Sequence, residues 1–244
     1  MITGMEEENI YKKLQEAISA LPENFSVLEE QVNVELQMEY FNYSRELKNK
    51  FTEETIKQHQ ADLFDPETSI EEKKNLLVLL ASQDRVEAFR VIEKYTKNPD
   101  PELRDWSILA FQESRMVIQS SLMDEQQVYI STGLGGKGQK LRYFVVFIGN
   151  TNVEKYTKTQ QKLIKTEMEF SIQKIDGNLE EISFEDNLAV AVLLLPVKSD
   201  IQSVFSSIIN ECNQYGDFIR QDIIITNVKR MSFQEIKDFI SREK

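Results

Sequence analysis

The sequence predicts an α+β protein of two domains, an all-helical stretch over residues 1–123 and an α/β stretch over residues 124–244. Three observations predict it. Apolar residues in the first half recur at helical spacing, whereas the second half holds short, nearly continuous apolar runs typical of central strands. Charge divides at the same place: residues 1–125 carry 26 acids against 14 bases, and residues 126–244 carry 15 of each. The chain's net charge of −12 therefore belongs to the first half. At 244 residues the chain also exceeds a typical single domain.

Thr3 and Glu6 have capping-box spacing and open a helix bearing Ile10, Leu14, Ala17, Ile18 and Leu21, which Pro22 closes. The next stretch carries two patterns. Val32, Val34, Leu36, Met38 and Tyr40 alternate as in a strand, while Leu28, Val32, Leu36, Tyr40, Tyr43, Leu47 and Phe51 hold one helical frame. The helical frame spans more residues, and the composition favours helix, so a helix is expected here. Thr52 is placed to cap a shorter one from about Glu53.

Ser69 with Glu72, and Asp84 with Glu87, repeat the capping-box spacing ahead of Leu76–Leu80 and of Val86, Phe89, Ile92 and Tyr95. Asp100, Pro101 and Glu102 suit an N-cap and first turn: a carboxylate, a residue lacking the N–H, and a negative charge at the positive end of the helix dipole. Leu103, Trp106, Ala110, Ser114 and Val117 continue on one face, with Trp106 as a core anchor. The run from Asp100 to Ala110, with the amphipathic helix and Pro-containing turn before it, resembles a HEAT or armadillo-type helical repeat. Helices at 70–82, 86–97 and 101–122 would make about one and a half units over residues 68–122. The resemblance implies a stacked-helix domain with a surface for binding other macromolecules, and it carries over no catalytic residue.

The pattern changes at Met123-Asp124-Glu125, taken as the boundary. Val128 and Ile130 begin a strand; Leu141 to Ile148 is apolar on both faces and hence central in a sheet. Thr151 and Glu154 are expected to cap a long helix reaching Ile175, followed by an Asp176-Gly177-Asn178 turn. Strands are expected at Glu181–Phe184, Leu188–Val197 and Gln221–Val228. An amphipathic helix from Ser199 carries Ile201, Val204, Phe205, Ile208, Ile209, Cys212 and Tyr215, and a final helix is capped by Ser232 and Glu235. From residue 141 the order is β-α-β-β-α-β-α with an extra strand in front. That order fits a ferredoxin-like split β-α-β layout, an α/β sandwich with one antiparallel-containing sheet covered by helices.

Two features could carry chemistry. Gly133, Gly135, Gly136 and Gly138 crowd one loop with Lys137, and three of them satisfy G-x-G-x-x-G. A dinucleotide fingerprint needs a helix after the loop, and here a strand follows. The loop is then either a hairpin tip or a flap whose N–H groups hold an anion. The second feature is basic: Lys155, Lys158, Lys162 and Lys165, spaced for one helix face, with Lys137, Lys140 and Arg142 from the loop and strand before it. Such a patch is a solvated face, a dock for an acidic surface, or a site for a small anionic ligand or nucleotide. The anion- or nucleotide-binding reading predicts a pocket where the glycine loop meets the lysine face.

The remaining groups are poor in chemistry. His59 lies in a polar Lys-Gln-His-Gln context, and Cys212 falls on a buried helical stripe. One His and one Cys cannot build a zinc site of the usual kind, and no cofactor is expected. The single Cys, the acidic start and the shortness of the longest apolar run, Leu188–Val197, point to a cytoplasmic protein without a membrane span. The acidic half disfavours nucleic acid and favours a basic protein surface. The expectation is a non-enzymatic protein-interaction or scaffold protein using its acidic helical face, with anion or nucleotide binding at residues 133–138 as the alternative. Oligomeric state stays open, with self-association through an exposed strand such as Val128–Ser131 among the possibilities.

Overall fold

The structure, a computed structural model, describes residue 22 and residues 25–47, 60–125 and 127–242. The expected elements at Thr3–Leu21 and from Thr52, and with them His59, lie outside the described residues. The described chain falls into two compact units, one over Asn24–Ile130 and one over Ser131–Lys244.

The first unit is helical with a small strand pair. Strand β1 (Phe25–Val27) leads into helix α1 (Val34–Leu47), and α2 (Ile70–Ala81), α3 (Val86–Thr96) and α4 (Arg104–Met123) follow. The expected helix from Leu28 starts six residues late. Asn33 explains the delay: its side-chain oxygen accepts from the N–H groups of Glu35 and Leu36 at 2.7 and 3.3 Å, an N-cap that fixes the first turn. Leu28 and Val32 are buried all the same, as part of the segment leading into the helix. Ser69 and Glu72 form the expected capping box at α2. Asp84 does not cap α3, whose N-cap position falls on Arg85 without a side-chain cap.

Asp100 sits at the start of a short 3-10 turn before α4, but its carboxylate does not cap. It accepts from Lys73 Nζ at 2.9 Å and from Tyr95 Oη at 2.6 Å instead, tying α2 and α3 to the turn. Trp106 is 1% exposed and lies at the centre of the unit's apolar core. Tyr40 and Tyr43 meet it edge-on at 5.1 and 5.4 Å, so α1 is held against α4 through aromatic edges.

Strand β2 (Val128–Ile130) corrects two expectations. It pairs in parallel with β1, Phe25 to Val128 through Val27 to Ile130, so it belongs to the helical unit and is not an extra strand of the second sheet. The first unit is therefore not purely α-helical, and the compact division falls after Ile130. A three-residue apolar strand has no local feature that selects its partner, and β1 gives no periodic signal at all.

In the second unit, β3 (Gly136–Lys137), β4 (Lys140–Gly149), β5 (Asn178–Glu185), β6 (Leu188–Pro196) and β7 (Ile219–Thr226) form one antiparallel sheet. β6 lies between β4 and β5, and β7 pairs with the other side of β4, giving the order β7-β4-β6-β5. Helix α5 (Lys158–Lys174) joins β4 to β5, α6 (Ile201–Asn213) joins β6 to β7, and the two pack together. On one face Phe144, Val146 and Ile148 of β4 and Leu188, Val190 and Val192 of β6 pack with Ile236 of α7 (Phe233–Arg242). Strand alternation turns Tyr143, Val145 and Phe147 to the opposite face, where Phe147 meets Phe205 of α6 at 6.0 Å. Helices on both faces account for the two-sided apolarity of β4 and β6. Helix α5 begins at Lys158, capped by a Thr157–Gln160 box, and not at Thr151 with Glu154. Asp200, one residue past the expected Ser199, caps α6.

Candidate functional site

The glycine loop is a packed closure of the sheet. Gly133, Leu134, Gly135 and Gly136 are buried, and Lys137, Gly138 and Gln139 form the exposed tip of a two-residue hairpin. A Cβ on Gly133 would stand 1.8 Å from the Val228 carbonyl oxygen, so only glycine allows this close approach. Gly138, at φ +60°, makes the turn itself. The backbone of the loop is largely used from within. Leu134 N–H donates to Asn227 O at 3.0 Å and Gly135 N–H to Thr132 O at 3.2 Å, while Gly135 O accepts from Arg142 N–H at 2.9 Å. N–H groups engaged this way are not offered to a phosphate.

The lysines do not converge on that loop. Tyr156 N–H donates to Asp186 O at 2.9 Å, which anchors the start of α5 beside the β5–β6 hairpin, at the Gly149 end of β4. The glycine loop lies at the Lys140 end, and a ten-residue strand separates the two ends by roughly 30 Å. Lys155 lies in the loop before α5, and Lys158, Lys162 and Lys165 lie exposed along the helix, with Lys165 3.8 Å from Glu169. Helix α5 starts at the far end of the strand, so Lys155 and Lys158 stand apart from the glycine loop.

The structure does bring Lys140 and Arg142 together with carboxylates, Asp176 and Glu180. Arg142 donates from Nε and Nη2 to both oxygens of Glu180, at 2.5 and 3.0 Å, and from Nη1 to Leu134 O at 2.9 Å. Lys140 lies 3.1 Å from Asp176, and Arg230 lies 2.8 Å from Glu181. Hydrogen bonds from Arg142 hold the Glu180 carboxyl below the usual range, helped by the charges of Arg142, Arg230 and Lys137. Lys140 and Arg142 thus face acids just before and within β5, Asp176 and Glu180, brought there by the fold and not by sequence proximity.

The groups whose titration departs from the ordinary value all move away from neutral pH. Each resolved carboxylate shift is downward: Glu72, Asp100, Glu180, Asp200 and Glu235 are all held below the usual range by hydrogen bonds. Burial moves Tyr40, Tyr43, Tyr95, Tyr143 and Tyr156 upward, Tyr143 to about 12. Burial also pushes the Cys212 thiol up to about 12, with Glu167 and Glu211 adding to it, which leaves a buried, unreactive thiol. A catalytic acid or base needs the opposite displacement, toward the working pH. Among the described residues no group of three His, Cys, Asp or Glu side chains could hold a metal ion, and no helix is long and apolar enough to cross a membrane.

Two surfaces stand out. On the helical unit, Glu35, Glu39 and Glu46 of α1 and Glu71 and Glu72 of α2 are exposed, and the two helices adjoin through Tyr43 Oη, which donates to Glu71 at 2.5 Å. On the sheet unit, a groove of about 470 Å³ runs beside β7, lined by Ile148, Ile223, Ile224, Ile225, Phe239 and Ile240, with Arg220 and Asp222. No protein-family model matches the chain, and no curated protein matches it.

Proposed function

We propose that this chain is a non-enzymatic interaction protein whose helical unit presents an acidic face to a basic protein surface. The observation that carries the reading is the exposed carboxylate row on α1 and α2, in a half that holds the chain's whole excess of negative charge. Such a field steers a basic partner at long range and weakens with salt. The short turns between α2, α3 and α4 and their mutual packing favour a HEAT-like stack as the framework. The β7-β4-β6-β5 order, antiparallel at each step with α5 and α6 as crossovers, favours a ferredoxin-like layout for the second unit.

The test is partner capture with the wild-type chain and with a Glu35→Lys, Glu39→Lys, Glu46→Lys variant, at low and high salt. The expected result is a set of basic proteins retained by the wild type, released by salt and lost from the variant. Retention of the same proteins by the variant counts against the acidic face.

A further inference from the structure

The two faces of the sheet are covered to different depths. On one lie α5 and α6, of 17 and 13 residues, which bury Ile164, Met168 and Ile172, and Phe205, Ile208, Ile209 and Cys212. On the other lies α7, of 10 residues, which buries Ile236 fully and Phe233 and Ile240 in part. The groove of about 470 Å³ undercuts its second half, where Phe239 and Ile240 line the space with Ile148 and Ile224. Ion pairs at the rim complete the attachment. Lys237 lies 2.8 Å from Glu185 and 3.0 Å from Asp186 in the β5–β6 hairpin, and Arg230, just ahead of the helix, lies 2.8 Å from Glu181. The chain leaving β7 is held by the glycine loop as far as Val228: Leu134 N–H donates to Asn227 O, and Gly133 stands against Val228 O. From Lys229 to Met231 it has no regular structure.

We propose that α7 is a releasable lid on the sheet. It swings about residues 229–231 while the strands and the opposite helices stay folded, and the ion pairs of Arg230 and Lys237 are the latch that holds it shut. A segment with few buried side chains opens at a lower free energy than the core beside it, and a single helix opens as one piece. The groove leaves the second half of α7 without packing beneath it, so little dispersion contact is lost when that end lifts. The latch is electrostatic and half in solvent, with Lys237 41% exposed and Glu185 and Asp186 45% and 54%, so salt weakens it. The sheet is not dragged along, because the contact of Val228 with Gly133 fixes the chain before the hinge begins. Opening bares Phe144, Val146, Ile148, Leu188, Val190 and Val192, an apolar surface that the closed helix keeps from water. The latch thus sets when that surface is accessible. The inference concerns the sheet unit alone and is independent of the acidic helical face.

The experiment is hydrogen exchange of the full chain read by mass spectrometry, at low and high salt, with Lys237→Ala alongside. The expected result is exchange in α7 about a hundredfold faster than in β4 and β6. High salt and Lys237→Ala should each speed α7 further and leave β4 and β6 unchanged. Thiol labelling gives an independent reading. Cys212 sits on the buried side of α6, and Val190 packs in the cluster beneath α7. In Val190→Cys the new thiol should be labelled while Cys212 stays protected, because the lid bares one face only. If Val190→Cys fails to fold by circular dichroism, the exchange of the wild type decides. Amides of α7 as protected as those of β4 and β6 overturn the proposal. Labelling of both thiols together overturns it as well, since the helix then leaves only when the whole unit unfolds. Rapid α7 exchange indifferent to salt and to Lys237→Ala also overturns it, because the ion pairs then hold nothing.

Discussion

The helical unit is joined by polar contacts between helices, whereas the sheet unit is dry at its centre and keeps its ion pairs at its periphery. In the former, Lys73 is 3% exposed and reaches Asp100, Tyr40 donates to Glu113 at 2.7 Å, and Tyr43 reaches Glu71 and Asn75. In the latter, β4 and β6 are apolar on both faces over most of their length, and charged pairs lie on the outer strands β5 and β7. The difference follows from what each architecture leaves unpaired. Sheet backbone groups satisfy one another across the ladder, so a central strand needs no polar side chains. Helices satisfy their backbones internally, and their mutual placement then rests on side chains alone. Directional bonds such as Lys73–Asp100–Tyr95 fix an angle that apolar contact leaves loose.

The comparison can be broken first at the two apolar centres. Trp106→Ala and Phe147→Ala should each cost about 3–5 kcal/mol, because both side chains are almost wholly buried. Denaturant unfolding checks this, and since Trp106 is the chain's single tryptophan, its fluorescence reports the helical unit. Equal costs would show that the helical unit leans on its aromatic core as heavily as the sheet does on its strands.

Lys73→Met comes next, at about 1–3 kcal/mol, since it strands Asp100 while keeping the apolar stem; the range is discounted because Asp100 is a third exposed. This contact also sharpens the contrast by pH. Hydrogen bonds from Lys73 and then Tyr95 hold Asp100 below its unfolded value, so its stabilisation is present above about pH 3.9 and is lost as pH falls through the folded value. The advantage of wild type over Lys73→Met should therefore shrink on acidification below about pH 4. Tryptophan fluorescence against pH measures it, and a constant gap would mean that Asp100 titrates as it does in the unfolded chain.

A smaller effect is expected at the sheet edge. Arg142→Ala should cost about 1–2 kcal/mol, through loss of the two bonds to Glu180 and the one to Leu134 O. Glu180 is held low by Arg142, so this contribution likewise fades as pH falls from about 4.3 through the folded value. Glu181→Gln should be smallest, within about 0.5 kcal/mol, because Arg230 and Glu181 meet in solvent. Thermal unfolding by circular dichroism ranks the two, and a reversed order would mean that the outer pair organises the edge.

Much of the architecture was legible in the sequence where the signal was local. The capping boxes at Ser69–Glu72 and Ser232–Glu235 appear as expected, because a cap is set by residues three apart. The two-sided apolar run at 141–148 is the central strand β4, and Trp106 is a core residue, because both depend on burial alone. The candidate site was less legible. Gly133 to Gly138 signalled a special backbone, but not that Val228 stands against Gly133. Lys155 to Lys165 signalled an exposed face, but Thr157 outcompeted Thr151 as the cap and left Lys155 off the helix.

What the sequence determined by itself was the kind of each element and the sign of each half, since periodicity, capping and charge are properties of neighbours along the chain. What tertiary structure decided was partnership. β2 pairs with β1 about a hundred residues earlier, Arg142 finds Glu180 through a strand register, and Asp100 leaves its helix to bind Lys73. β5 and β7 likewise became the outer strands of one sheet only through the pairing of β4 with β6 and β7. Such pairings depend on which surfaces meet in space, and the free energy that selects them is shared by the whole fold and not written in any short stretch of residues.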